Sequence, residues 1–166
     1  MRKLILTLIL FSFCVYYIQA QMIQRNDTLH LNYFIAAGEF GGINEGLIIY
    51  GNNNEVKAKS VRYNSSSYGM ALEVDTIIDF YEQNKNNYTV IKAEWILSKK
   101  QCDYIAKILD EIKARPIEEN VFGNASEHYA ILTKKESYAF IDRTGYWKKY
   151  LEIKKVLDIE QQPKKL

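Results

Sequence analysis

The chain reads as an α+β protein in which an antiparallel sheet of about five or six strands carries two or three helices on one face, after a cleaved signal peptide. Three observations predict this. Thr28 to Ala37 alternates apolar and polar residues with the period of two expected of a strand that buries one side. Lys99 to Lys113 places Cys102, Ile105, Ile108, Leu109 and Ile112 at helical spacing, behind a Ser98/Gln101 pair that matches a capping box. Finally, no internal repeat and no linker divides the 166 residues. The expected organisation is therefore a signal peptide over residues 1–20, a single α+β domain over 21–160 and a polar tail over 161–166 that contains Pro163.

The leader is read from Arg2 and Lys3, the apolar run Leu4 to Ile18 and the small residue Ala20 at the cleavage point. A membrane anchor would continue for about 20 apolar residues, whereas Gln19, Gln21 and Gln24 interrupt this run, so no stable span is expected after cleavage. A lipid on Cys14 is disfavoured by the bulky Phe11-Ser12-Phe13 before it. The expected location is secreted or periplasmic.

Cleavage also changes the charge. The full chain has 22 basic and 20 acidic residues, and the leader holds two basic ones, so residues 21–166 are formally neutral. No basic excess marks a nucleic-acid footprint, and nucleic acid is not an expected partner. Cys102 is the only cysteine beyond the leader, so no intramolecular disulfide can form and stability must come from a packed core. A chain of this length can bury close to 70% of its unfolded surface. Asn26, Asn64, Asn87 and Asn124 each begin an Asn-x-Ser/Thr tripeptide, a glycan acceptor only in a eukaryotic secretory pathway.

In the first strand Leu29, Leu31, Tyr33 and Ile35 share one side, with His30, Asn32 and Phe34 on the other. Leu47 to Tyr50 and Val56 to Tyr63 continue a meander, with Gly51 to Asn54 suited to a tight hairpin between them. Leu72 to Gln83 reads as a helix from the spacing of Val74, Ile77, Ile78 and Tyr81. Tyr88 to Leu97 follows as a strand, and Pro116 stops the helix that begins after Ser98. His128 to Lys134 and Ser137 to Arg143 form a hairpin across Lys135-Glu136. Tyr146, Trp147, Tyr150, Leu151, Ile153 and Leu157 then make one broad face of a last helix.

Five of the eight glycines fall between Ala36 and Val56, which raises the possibility of a phosphate-binding loop. Such a loop needs its glycines between a strand and a helix, followed by Lys and Ser or Thr, but here Leu47-Ile48-Ile49 follows Gly46. Glu39 and Glu45 would also repel a phosphate. The stretch is expected to be a wide hairpin loop, and Glu39, Phe40, Gly41 and Gly42 at its tip are the candidate binding residues.

Catalytic signals are sparse. Cys102 lies near Lys99 and Lys100 in a first helical turn, a setting that can activate a thiol, yet it shares a face with Ile105 and Leu109 as a buried structural cysteine would. His30 and His128 could meet in one sheet, but no further pair has metal-ligand spacing, and neither a metal nor a cofactor is implied. Glu94, Glu39, Glu45, Asp75 and Asp79 are carboxylates without a defined partner, and Asp142-Arg143-Thr144-Gly145 reads as a turn. Eleven tyrosines beyond the leader, Tyr33 to Tyr150, suit either a half-buried sheet or an interface. The expected function is non-catalytic binding of a protein or saccharide partner. The alternatives are a small secreted hydrolase with a carboxylate or Cys102 centre, and an inhibitor of a secreted enzyme. Mass spectrometry of the exported protein should find Gln21, or pyroglutamate formed from it, at the N-terminus; intact Met1 in the mature pool would exclude cleavage.

Overall fold

The alternation in the first strand becomes the middle of a six-stranded antiparallel sheet. The computed structural model describes residues 27–37, 42–52, 55–64, 74–115, 125–144 and 147–159. Its strands are β1 (Thr28–Ala37), β2 (Gly42–Asn52), β3 (Glu55–Tyr63), β4 (Tyr88–Ile96), β5 (Ala125–Leu132) and β6 (Ser137–Asp142). Its helices are α1 (Val74–Asn84), α2 (Lys99–Lys113) and α3 (Lys149–Val156). The strand order is β4-β3-β2-β1-β5-β6. Strand β1 thus pairs with β2 on one side and β5 on the other, with Tyr33 opposite both Glu45 and Tyr129.

Both faces of this sheet are covered. Leu29, Leu31 and Tyr33 join Leu47, Ile49, Ile131 and Phe140 under Ile105, Ile108 and Ile112 of α2 and Tyr150 and Ile153 of α3. Phe34, Ile48, Val61, Tyr63, Ala130 and Ile141 pack on the opposite side, against Ile77 and Tyr81 of α1. The helices therefore divide between the faces instead of sharing one. The physical reason lies in the strands: Phe34, Ile48, Val61 and Ile141 give the second face its own apolar surface, and such a surface gains by about 25 cal/mol per Å² when a helix removes it from water.

That second face also contains polar residues, and its tyrosines accommodate them. Tyr63 Oη donates to Asn32 Oδ1 at 2.5 Å, and Tyr81 Oη donates to Asn44 Oδ1 at 2.8 Å. Gly46 makes room for the first of these, since a Cβ there would lie 2.8 Å from Asn32 Oδ1 and 3.1 Å from the Tyr63 ring. A Cβ on Gly42 would run into the Ile35 carbonyl oxygen and lie 2.6 Å from the Phe34 ring. The glycines are thus sites of close approach within or at the start of β2. The strand begins at Gly42, earlier than its apolar run at Leu47 suggests, because Gly42 to Gly46 pair with Ala36 to Asn32. The expected wide loop is correspondingly shorter, since only residues 38–41 separate β1 from β2.

The helix ends follow local chemistry. Ser98 caps α2 by accepting from the Gln101 backbone N–H, while the Gln101 side chain accepts from Ser98 N at 2.9 Å, completing the capping box. Helix α3 closes with a Schellman pattern: Ile159 N–H donates to Lys154 O, Asp158 N–H donates to Lys155 O, and Asp158 takes the left-handed φ of 52° that glycine usually supplies. Replacing Ser98 with Ala should lower unfolding free energy by about 1 kcal/mol, as measured by chemical denaturation with an unchanged m-value. An unchanged midpoint would show that the cap contributes nothing.

Candidate functional site

A groove of about 400 Å³ opens at the end of the sheet where β1 starts and β2 finishes, on the face covered by α1. Its position follows from the pairing. Thr28 lies opposite Tyr50, and His30 lies between Ile48 of β2 and Leu132 of β5. Lys59 of β3, Tyr88 of β4, Glu82 of α1, the residues Lys85 and Asn86 after α1, and Thr133-Lys134 after β5 complete the lining. The volume lies within the range of about 300–1,000 Å³ typical of small-molecule sites.

The lining is basic. Three lysines face one glutamate, an excess of two positive charges before His30 titrates, in a chain whose residues 21–166 are formally neutral. Lys59 Nζ donates to Tyr88 Oη at 2.6 Å and lies 4.9 Å from the centre of that ring. Lys85 pairs with Glu82 at 3.0 Å. The carbonyl end of α1 adds a partial negative charge of about half an electron, less than the net positive charge of the lining. Beside the groove, Lys57 pairs with Glu94 at 2.7 Å, and Tyr50 Oη donates to the same carboxylate. His30 Nδ1 is enclosed and has no hydrogen-bond partner among the described residues. Burial holds the His30 pKa below its ordinary value; Lys85 and Lys59 lower it further, while Glu82 opposes them.

Of the candidate binding residues, only Gly42 is among the described residues. Glu39, Phe40 and Gly41 lie outside the described residues, and Gly42 opens β2 at the end of the sheet opposite the groove. His30 and His128 do share the α1 face, yet His128 pairs with Phe34, four residues along β1 from His30, so the two histidines do not form one centre. Cys102 is a free thiol, half-buried against the α2–α3 core, and burial followed by Asp103 raises its pKa. Both causes favour the protonated thiol, which is the less nucleophilic form.

The carboxylates divide in the same way. Glu45 is buried between Arg62 at 2.8 Å and Lys154 at 2.7 Å, which ties β2 to β3 and α3. Asp75 and Asp79 are exposed on α1. A pair not singled out in the sequence is Glu127 and Asp142, directly opposite each other on β5 and β6. Desolvation raises the Glu127 pKa, partly opposed by the hydrogen bond from Tyr129 Oη, while neighbouring Asp142 raises it further. Asp142 is committed to structure: it accepts from Thr144 N and Oγ1 and from Trp147 N at 2.5–2.9 Å, and so organises the turn read in Asp142-Arg143-Thr144. Among the described residues, no group of three His, Cys, Asp or Glu side chains could hold a metal ion, and no helix is long and apolar enough to cross a membrane.

Comparison of the chain with protein-family models, curated proteins and solved structures returns no match.

His128 generates a measurable pH dependence. It is only 1% exposed, and burial, with Arg143 as a smaller cause, lowers its pKa from 6.5 to about 4. The unfolded chain therefore binds this proton more readily than the folded one. Stability should be independent of His128 above about pH 6.5, fall as pH drops from there to about 4, and lose about 2–3 kcal/mol across that window. Denaturation at a series of pH values tests this; a His128→Gln variant with the same slope as wild type would exclude His128 as its source.

Proposed function

We propose that this chain is an exported, non-catalytic binding protein whose basic groove takes a small ligand bearing an anionic group. One observation carries the proposal: Lys59, Lys85, Lys134 and His30 arrive from four parts of the chain to line one cavity of small-molecule size. Ammonium groups attract an anion by Coulomb forces, and partial enclosure strengthens that attraction relative to open water. The hydroxyl and amide groups of Thr28, Thr133 and Asn86 can orient the rest of the ligand. A secreted or periplasmic location is part of the proposal and rests on Arg2, Lys3, the apolar run Leu4 to Ile18 and Ala20.

Binding is favoured over hydrolysis because, among the described residues, the groove shows no nucleophile beside an unpaired base. Glu82 is paired with Lys85, and the Glu94 carboxylate that accepts from Tyr50 is itself paired with Lys57. The protonated, half-buried Cys102 packs against the other face of the sheet.

The test is calorimetric titration of the purified chain with sulfate, phosphate and an acidic monosaccharide, with a neutral monosaccharide for comparison. At least one anion should bind while the neutral sugar does not. Lys59→Ala and Lys85→Ala should each weaken that anion by about fivefold to tenfold, roughly the effect of one charge-assisted contact in a partly exposed site. Binding unchanged in the double variant, or no binding of any anion, would defeat the proposal.

A further inference from the structure

We infer that an anion seated in this groove is bound together with one proton, carried on the His30 ring, so that the site is a proton-coupled anion receptor. The inference rests on the reading of the groove as an anion site and adds its regulation. Its basis is the placement of His30 within that lining. The residue is held on central strand β1 by pairing on both sides, with Ile48 and Leu132 as cross-strand neighbours, so its backbone cannot move away from the groove without breaking the sheet.

The groups around it come from every neighbouring element. Lys59 approaches from β3, Glu82 from α1, Lys85 from the residues after α1 and Lys134 from the turn after β5. Tyr50 of β2, Tyr88 of β4, Thr28 and Thr133 complete the surroundings as neutral polar groups. Before an anion arrives, two lysines and partial burial oppose a positive ring, and Glu82 alone favours it. One anion reverses this balance. Its charge offsets the lysines and so favours a positive ring on a residue that lines the groove. A neutral imidazole has one N–H donor and the protonated ring has two, so protonation adds both a charge and a donor to the lining. The proton comes from solvent, one per anion, and no covalent bond to carbon or to the anion's central atom is broken.

Linkage sets the direction. If binding favours the protonated ring, lower pH must favour binding through the range between the free and bound His30 titrations. Sulfate is the appropriate probe, because it remains a dianion over this range while phosphate titrates within it. The wild-type dissociation constant for sulfate should fall severalfold between about pH 8 and about pH 5.5, toward the limit of about tenfold that a one-unit rise in the ring's pKa on binding sets. Calorimetry in buffers of different ionisation enthalpy should show proton uptake that peaks at about half a proton per sulfate midway between the free and bound titrations, as a one-unit shift requires. His30→Gln should bind sulfate with the same weak affinity at both pH values and without proton uptake. NMR titration of wild-type His30 with and without sulfate provides a readout that does not depend on the variant folding, and its midpoint should move upward. A pH-independent wild-type affinity, an unmoved His30 midpoint, or full pH dependence in a folded His30→Gln protein would overturn the proton coupling and leave the anion site standing. Absence of sulfate binding at either pH would overturn the coupling for this probe, and absence of phosphate and acidic-sugar binding as well would overturn the groove reading itself.

Discussion

Burial of β1 on both sides is the constraint on which the rest of the molecule depends. Leu29, Leu31 and Tyr33 enter the core under α2 and α3, and Phe34 enters the second core under α1. Helices cover both faces over the middle of β1, so Asn32 and its neighbour Asn44 are buried and must find partners inside. Tyr63 and Tyr81 provide them, and both tyrosines also belong to the apolar cluster. These bonds offset the cost of burying amide oxygens and tie β1 and β2 to β3 and α1. At the end of the same face, beyond this packed polar layer, His30 meets the groove.

Ionic contacts fasten the opposite layer. Glu45 binds Arg62 and Lys154 together, so a carboxylate on β2 links a neighbouring strand to the last helix. Removing both cations would leave a charge with little access to water, which is far more costly than losing an exposed ion pair. Lys92 of β4 adds a second link by donating to Leu157 O and Asp158 O, and Gln101 of α2 donates to Val156 O. These donors satisfy carbonyls at the end of α3, where the helix has no internal partners of its own. An eight-residue helix gains little from propensity, and these tertiary contacts with Tyr150 and Ile153 hold it in place.

The outer strand β4 shows how the sheet ends. Its pairing with β3 shifts register on both sides of Ser60, and Val90 and Ile96 are exposed on it. Bulges increase local twist and interrupt the regular row of donors and acceptors that would otherwise invite another strand. The irregularity lies on the edge strand, where pairing on one side only leaves room for it.

Local patterns were legible in the sequence: the limits of β1, the capping box of α2, the six extended segments and the turn at Asp142 all follow from residues within a few positions of one another. Periodicity and capping record the preferences of a short length of backbone, whatever surrounds it. The start of β2 was less legible, because Gly42 to Gly46 look like loop until pairing with β1 determines their conformation. The division of helices between two faces required knowing that Phe34, Ile48, Val61 and Ile141 would align across four strands into one apolar surface. The groove was hidden for the same reason. His30, Lys59, Lys85 and Lys134 are separated by dozens of residues and each looks ordinary alone; only the strand order and the placement of α1 bring their charges together. Short-range sterics and hydrogen bonding are written locally, whereas an electrostatic site is a sum over distances that the chain acquires only on folding.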